Sequence, residues 1–456
     1  MKRSSTPQHK KQRVGLNALI LAALVVVLDI AMTLALEPYE APTYLTWVNY
    51  RENAPDEIDN LVIGASTALE GIDPTTLDTQ LNSTTFNQAF YGVSYKNAYR
   101  TLTTIGNERE LKRVIVGVSY ESLCSLPNIH SDAIFAQSKL YGESFPQQLQ
   151  DCADMLLDPQ YIGKPESFVF LAPWTVDNVG ANPSEIAANI SKRLTLTPKE
   201  LVDTIPDFSD KGYVTHSLNT ATDFNELAAS LPLPTGTGAA FLQSNLDSLA
   251  DMCSYAKSRG IEIYVVMMPR PDFNVLNLGS SYPEQATRLQ TIVENAGGIY
   301  LDANALSSDI FNADQQDFVD EQHLNHSGAE RFSRALAKLI RDHESGVDLS
   351  SSSLSYANWE SYASTYDKIA LVQLKSTVTK NTLSAEAIPT MGSNVQAEYR
   401  LVQVLPDGTE QELRGWSADT HFSTELQGHD EMVLRVYARR GSTETWDRYC
   451  TADVLY

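Results

Sequence analysis

Cysteine is scarce in this sequence. The 456 residues include only Cys124, Cys152, Cys253 and Cys450, and no two of them have the close CxxC spacing. That spacing is typical of structural zinc sites and redox pairs, so the sequence gives no support to either. Four cysteines are also too few for a disulfide scaffold in a chain of this length. We expect free thiols or a single bridge, for which we consider Cys124 with Cys152.

Basic residues are scarce beyond the N-terminus. Five of the 34 lysines and arginines lie within the first 13 residues, which contain no acidic residue. The rest of the chain therefore carries 29 basic and 57 acidic residues, a net charge of −28. A body this acidic repels nucleic-acid phosphates and anionic lipid headgroups. We exclude nucleic acid as a partner, and the simplest role of the charge is solubility.

Long apolar runs are absent except for one, Val14–Leu36. A helix needs about 20 residues to cross the hydrocarbon core of a bilayer. The basic tail at 1–13 predicts a cytoplasmic N-terminus, with everything after Leu36 outside. The alternative is a cleaved signal peptide, with Thr33 and Ala35 before the cut, but the run is longer than a typical signal core. Asp29 is costly in lipid, so it lies near the outer interface or pairs with another membrane protein.

Residues 57–345 alternate between short apolar runs and amphipathic stretches. The runs are rich in β-branched or aromatic residues and are bounded by polar ones, which predicts buried parallel strands with helices on both faces. This is a three-layer α/β domain, with a long helical insertion at about 120–260 that we interpret as a lid or substrate platform. The predicted strands are Asn60–Ser66, Thr85–Phe90, Arg113–Ser119, Glu262–Pro269 and Gly298–Ala303.

A second domain is predicted after a change in composition. The serine-rich stretch within 346–366 is typical of a linker. Residues 367–456 then show alternating apolar and polar patterns, clearest at Gln396–Val404 and Glu431–Arg440, with a turn at Pro406–Gly408. About 90 residues of short strands and turns predict a small β-sandwich.

Two groups of residues carry the candidate chemistry. Ser66 stands at the end of the first predicted strand, in Gly64-Ala65-Ser66, where open α/β sheets place their sites. Asp320 and His323 follow the last predicted strand, three residues apart in Asp-Glu-Gln-His, so their loop opens at the same sheet edge. A carboxylate there can orient the imidazole while its other nitrogen faces a nucleophile. No second acidic ligand accompanies His326, so no metal is predicted.

In these blocks the chain resembles the SGNH, or GDSL-type, hydrolase superfamily over residues 57 to 343. That family has a Gly-Asp-Ser block after its first strand and an Asp-x-x-His block at its end; here Ala65 replaces the first Asp. The resemblance implies Ser66 as nucleophile, His323 as base and Asp320 as its partner, with no cofactor. The membrane-anchored pattern is similar to cell-envelope branches such as the DltD-like and alginate O-acetylation proteins.

The oxyanion hole that the resemblance implies is less complete. Gly92, in Asn87-Gln-Ala-Phe-Tyr-Gly, matches the glycine that donates its N–H in the family's second block, with the Ser66 N–H as a further donor. The third block normally ends in Gly-x-Asn-Asp, whereas this chain has Gly117-Val-Ser119-Tyr. Ser119 is the substitute donor we consider. Loss of one oxyanion donor typically removes about 2.7–4 kcal/mol of transition-state stabilisation.

The sequence therefore predicts an extracytoplasmic serine esterase or O-acyltransferase. Its expected substrate is an acylated cell-envelope polysaccharide, or an acyl donor for one. Three alternatives stay open: a lipid esterase of the same superfamily, a non-catalytic envelope-assembly or polymer-binding protein, and an adaptor whose Asp29 contacts a multi-span membrane acyltransferase. The last role is compatible with catalysis.

Overall fold

The fold was analysed in a computed structural model, which describes residues 7–39, 42–159, 161–205, 207–215, 222–349, 363–364, 366–380, 382–425, 432–441 and 443–454. For residues 7–15 and 42–44 it describes the backbone alone. The predicted linker at 346–366 thus lies largely outside the described residues.

The N-terminus forms one long helix, α1, over Pro7–Leu36, followed by α2 over Pro42–Asn53. The 21 residues from Leu16 to Leu36 are long and apolar enough to span a membrane. The most apolar 18-residue window of this stretch has a mean hydropathy of 2.7, and none of that window is buried inside the protein. The prediction of a helix of transmembrane length and composition is confirmed.

A five-stranded, all-parallel sheet forms the centre of the next domain. Its strand order is β2-β1-β3-β4-β5, so the chain reverses its direction of progress across the sheet between β1 and β3. The predicted runs all contain a strand, although each strand ends one to three residues earlier, where the chain leaves the sheet for a loop or helix. The strands are β1 Asn60–Gly64, β2 Thr85–Asn87, β3 Arg113–Val118, β4 Glu262–Met267 and β5 Ile299–Asp302.

Helices cover both faces of this sheet. Alternate residues of β1 enter two different hydrophobic cores, Val62 on one side and Leu61 and Ile63 on the other. Two buried faces explain why the strands are apolar throughout instead of alternating. The helices outside the insertion are α3 Ser66–Gly71, α4 Pro74–Leu81, α5 Tyr95–Glu108, α12 Gln243–Ser258, α13 Asp272–Leu278, α14 Ser281–Asn295 and α15 His326–Glu344.

The insertion between β3 and β4 is helical, as predicted. Its earlier helices turn towards the N-terminus of the chain: α7 contacts α2, and α9 contacts α1. Its later part lies beside the sheet, where the Val214 N–H donates to the Leu69 carbonyl and the Asn87 N–H donates to that of Lys211. The helices are α6 Tyr120–Cys124, α7 Ile129–Lys139, α8 Phe145–Leu157, α9 Pro183–Thr195, α10 Pro198–Asp203 and α11 Phe224–Leu227.

The C-terminal part contains two antiparallel sheets, ordered β10-β7-β6 and β12-β11-β8-β9. Strand β6 contacts β11 and β12 of the other sheet, and the turn at Pro406–Gly408 joins β8 to β9. The strands are β6 Ile369–Thr379, β7 Thr382–Met391, β8 Ala397–Val404, β9 Glu410–Ser417, β10 His421–Glu425, β11 Met432–Arg440 and β12 Arg448–Val454.

The cysteine pairing considered above is wrong. All four cysteines are free. Cys124 ends α6, where its thiol contacts the Ala239 carbonyl oxygen at 3.1 Å. Cys152 lies on α8, a separate helix of the insertion.

Candidate active site

Ser66 begins a short helix directly after the first strand. Strand β1 ends at Gly64, Ala65 occupies the N-cap position, and α3 starts at Ser66. Gly64 has φ +142, and a Cβ there would lie 2.4 Å from the Gly117 carbonyl oxygen on the neighbouring strand. A Cβ on Gly117 would lie 2.5 Å from the Ala68 Cβ. The paired glycines thus allow α3 to approach the sheet closely and fix the position of Ser66.

Replacement of Gly64 by alanine tests this close approach. The added Cβ must displace backbone and adopt a φ that L-residues avoid, so we expect Gly64→Ala to lower the free energy of unfolding by at least about 3 kcal/mol. Chemical denaturation of the purified protein measures this. Gly163→Ala is the control, because Gly163 also has a positive φ (+78) but no atom lies within 4 Å of its Cβ position. A cost for Gly64→Ala no greater than the roughly 1–2 kcal/mol expected of this control contradicts the argument.

The side chain of Asn87 is hydrogen-bonded to the backbone of α3. Its side-chain amide, fully buried at the end of β2, donates to the carbonyl oxygens of Ala68, at 3.0 Å, and Ile72, at 3.1 Å. Because carbonyls at a helix C-terminus have no partners within the helix, a side-chain donor there stabilises the helix end. Asn87 therefore stabilises the helix that carries Ser66.

A tight loop presents Asp320 and His323. Phe318 and Leu324 form an antiparallel bridge, and the Val319 N–H donates to the His323 carbonyl oxygen at 3.0 Å. The loop between them is closed by Asp320 itself, whose Oδ1 accepts hydrogen bonds from the backbone N–H groups of Gln322, at 2.6 Å, and His323, at 2.7 Å.

Helix α15 packs this loop against α3, the helix that begins at Ser66. Asn325 caps α15 by accepting from the Gly328 N–H at 2.9 Å, and its side chain is fully buried. Farther along α15, the Ser333 hydroxyl accepts a hydrogen bond from the Asp73 N–H at 2.8 Å, and α15 contacts both α3 and α4. The two chain segments that carry Ser66 and His323, 257 residues apart in sequence, are therefore packed together.

The predicted triad residues come together with hydrogen-bonding geometry. His323 Nε2 lies 2.8 Å from Ser66 Oγ, and His323 Nδ1 lies 2.8 Å from Asp320 Oδ2. The His323 side chain is 19% exposed, so the group is reachable from solvent without being fully hydrated. The site lies where the strand order reverses between β1 and β3, which is where open α/β sheets form a crevice.

The carboxyl of Asp320 is held in its ionised form. Burial acts to raise its pKa, but the hydrogen bond and charge of His323 and the two backbone N–H donors outweigh burial, so the pKa is lowered. An ionised acceptor stabilises the imidazole with its proton on Nδ1, which leaves Nε2 able to accept a proton from Ser66.

The structure adds a second carboxylate that the sequence analysis missed. Glu70 lies one helical turn after Ser66, is 2% exposed, and brings Oε2 to 3.9 Å from His323 Nε2. Tyr91 is its hydrogen-bond partner; burial, and then the charge of Glu70, raise the pKa of Tyr91, so the phenol keeps its proton. The i, i+4 spacing from Ser66 on one helix was the available signal. An imidazolium formed at His323 would lie between two carboxylates.

The candidate oxyanion residues occupy different settings. Gly92 is exposed in a turn at φ +62, where a Cβ would lie 2.6 Å from Ser131 Oγ. Ser119 follows β3 and caps α6: its Oγ accepts from the Ser122 N–H at 3.2 Å and donates to the Ser122 hydroxyl at 2.9 Å. The Ser119 hydroxyl is thus committed to its own helix, while the Ser66 N–H lies in the first turn of α3, where helix amides lack intrahelical partners.

No protein-family model matches the chain, and no curated protein matches it.

Among the described residues, no group of three or more His, Cys, Asp or Glu side chains is placed to hold a metal ion. His326, beside the triad histidine, has its Nδ1 3.4 Å from the Tyr213 hydroxyl and its Nε2 3.5 Å from Glu330.

Proposed function

We propose that this protein is a serine esterase or O-acyltransferase of the SGNH type, anchored by α1 and acting outside the cytoplasm. The observation that carries the proposal is the hydrogen-bonded series Ser66–His323–Asp320, with both links at 2.8 Å. The five-stranded parallel sheet with a reversal beside Ser66 supports the family assignment. The apolar helix after a basic tail supports the anchored, outward-facing topology.

The chemistry follows from the geometry. Ser66 Oγ attacks an ester carbonyl while His323 Nε2 takes its proton, and Asp320 stabilises the imidazolium. Collapse of the tetrahedral intermediate breaks the bond to the alcohol, which leaves with the proton returned by His323. The acyl group then resides on Ser66. Water or a sugar hydroxyl, deprotonated by His323, attacks this acyl-enzyme and frees Ser66 for another cycle.

The oxyanion donors in this proposal are the backbone N–H groups of Ser66 and Gly92. Ser119 stands where the resemblance implies an asparagine, and its hydroxyl is held by Ser122. A hole with two donors favours a reactive or well-positioned substrate over rapid general hydrolysis. We therefore propose an acylated envelope glycan, or an acyl donor for one, as the substrate class.

A non-catalytic polymer-binding role has less support. Such a role would be compatible with a Ser66 that points away from His323, but the two side chains are within hydrogen-bonding distance. A serine–histidine–aspartate series in a reachable crevice is an arrangement that favours nucleophilic catalysis over simple binding.

Reaction with a fluorophosphonate probe tests the proposal. We expect the full-length protein in detergent to be labelled, and Ser66→Ala to lose the label, because the probe requires an activated serine. Ser308→Ala is the matched control, since Ser308 is an exposed serine of the loop after β5. Equal labelling of the Ser66→Ala variant, or no labelling of the unaltered protein, contradicts the proposal.

A further inference from the structure

The outer end of α1 packs against the insertion. From Leu16 to Leu28 every residue of the helix is exposed, whereas Asp29, Met32 and Thr33 are partly covered. Asp29 Oδ1 accepts a hydrogen bond from the Trp174 indole N–H at 3.0 Å. Nearer the helix end, the Val179 N–H donates to the Leu36 carbonyl at 2.8 Å. The carboxylate of Asp29, for which we considered a place near the outer interface or a contact with another membrane protein, thus has a partner within the chain.

The position of this contact along α1 sets a depth in the membrane. Arg13 keeps the inner boundary of the hydrocarbon core at about residue 14, and a core of about 30 Å then ends near residue 34 at 1.5 Å per residue. Asp29 lies about five residues, or roughly 7 Å, inside that outer boundary. Tilting the helix places it deeper. The part of the insertion that contacts Asp29 therefore lies at or below the headgroup level.

The insertion exposes apolar side chains to a degree that a surface in water does not explain. Among the described residues outside α1, thirteen large apolar side chains are exposed, and nine of them lie between residues 145 and 194. Exposed apolar side chains concentrated in one segment of the chain in this way are typical of protein or membrane contact sites. We call these nine residues the apolar face: Phe145, Leu149, Leu156, Leu157, Ile162, Phe168, Leu171, Ile190 and Leu194.

Helix α8 shows how this face is built. Met155 is its only buried residue, while Phe145 and Leu157 are 69% and 75% exposed. Its Asp151 instead turns towards the protein, where it forms a 2.6 Å ion pair with the buried Lys139. Asp154 is exposed on the same helix, so α8 keeps one of its two carboxylates at the surface while most of its large apolar residues face outwards, a composition suited to the polar–apolar interface of a bilayer.

The apolar face is continuous with the anchor. Two elements of the insertion contact α1, the 3-10 turn Pro173–Thr175 and helix α9. A second 3-10 turn, Pro165–Phe168, contacts the turn Pro173–Thr175 and also contacts α8. The elements that expose apolar residues are therefore linked by direct contacts back to the transmembrane-length helix.

We propose that the apolar face is a second membrane-contact surface, which inserts into the outer-leaflet interface beside α1 and seats the candidate catalytic domain on the bilayer. The proposal rests on the membrane anchoring put forward above. The occupant is lipid, because α1 fixes the neighbouring insertion elements at the depth of the interface. Residues 145–194 carry more acidic than basic side chains, so the contact is apolar rather than electrostatic.

Depth-dependent quenching tests the proposal. The full-length chain, with Cys124→Ala and Cys152→Ala to remove the partly exposed thiols, is given one cysteine for an environment-sensitive fluorophore. The probe positions are Leu157→Cys and Phe168→Cys on the apolar face and Ile20→Cys on α1. Leu233→Cys is the matched control, an exposed leucine outside the face. Each labelled variant is reconstituted into phosphatidylcholine vesicles that contain no other protein. The vesicles are prepared with and without lipid that carries a nitroxide on its acyl chain.

We expect the nitroxide to quench the probes at 20, 157 and 168 at least twofold more than the probe at 233. Quenching at 20 alone would show an inserted anchor with the apolar face outside the lipid, and would overturn the inference while leaving the anchor proposal intact. That result would favour a protein as the occupant. Equal quenching at 157 and 233 would also overturn it. Absence of quenching at 20 would overturn the anchor proposal and this inference together. None of these outcomes depends on catalysis, so the esterase proposal is tested separately.

Discussion

Ser66→Ala and His323→Ala are each expected to lower kcat for p-nitrophenyl acetate by roughly 10⁴–10⁶-fold, and the double variant is expected to be no slower than either. The reason is that the two side chains act as one unit: Ser66 Oγ becomes a nucleophile only as His323 Nε2, 2.8 Å away, removes its proton. Once either atom is missing, the other has no part in the acyl-enzyme route. The residual rate then reflects binding and the oxyanion donors alone.

Steady-state kinetics on the full-length protein and the three variants measures this non-additivity. Ser308→Ala and His130→Ala serve as controls, since both residues are exposed and outside the site. Additive losses, in which the double variant falls by the product of the single effects, would indicate independent roles and would contradict the proposed acyl-enzyme. A loss confined to KM would point instead to substrate binding.

The sequence predicted the sheet well because its strands are buried on both faces. Such strands are continuous apolar runs, and all five were found within a few residues of their true ends. The long apolar helix α1 was predicted for a similar reason, since only one run was long enough to cross a bilayer. The packing of the insertion against α1 was not predictable from the sequence. Its contacts, such as that of Trp174 with Asp29, join residues 145 positions apart.

Some residues of the candidate site were likewise predictable from the sequence, and others were not. Ser66 was identifiable because it closely follows the first strand, and Asp320 and His323 because their close spacing falls in the segment after the last strand, which opens at the same edge of the sheet. Glu70 and Asn87 were not identified: the available signal for Glu70 was only its i, i+4 spacing from Ser66, and nothing in the sequence shows what the buried Asn87 amide faces. The side-chain partner of Ser119 was equally inaccessible: only the structure shows its hydroxyl committed to Ser122.

Asp320→Asn is expected to lower kcat/KM by roughly 10⁴-fold at pH 7, and by at least as much as Asp320→Ala. The two backbone N–H groups that donate to Oδ1 would hold the asparagine oxygen in that position. The amide NH₂ would then occupy the Oδ2 position, 2.8 Å from His323 Nδ1. As a donor it forces Nδ1 to accept, so the ring proton moves to Nε2, which can no longer take the proton of Ser66. Alanine imposes no tautomer.

Comparing the two variants separates the effect of ring orientation on the rate from the effect of charge. Measurements of stability then show whether either substitution has loosened the loop that carries His323. Because the pKa of Asp320 is lowered in the fold, its carboxylate stabilises the folded state above about pH 3.9, and this contribution fades as the pH falls through the folded pKa. Both variants should therefore lower Tm at pH 7, and this loss should shrink as the pH falls through the folded pKa of Asp320, whereas Asp309→Asn, at an exposed position, should change neither Tm nor rate. An Asp320→Asn enzyme that is clearly faster than Asp320→Ala would show that the amide does not impose the wrong tautomer. Asp320 would then act by its charge on His323, and the fixed orientation of its two oxygens would have no catalytic consequence.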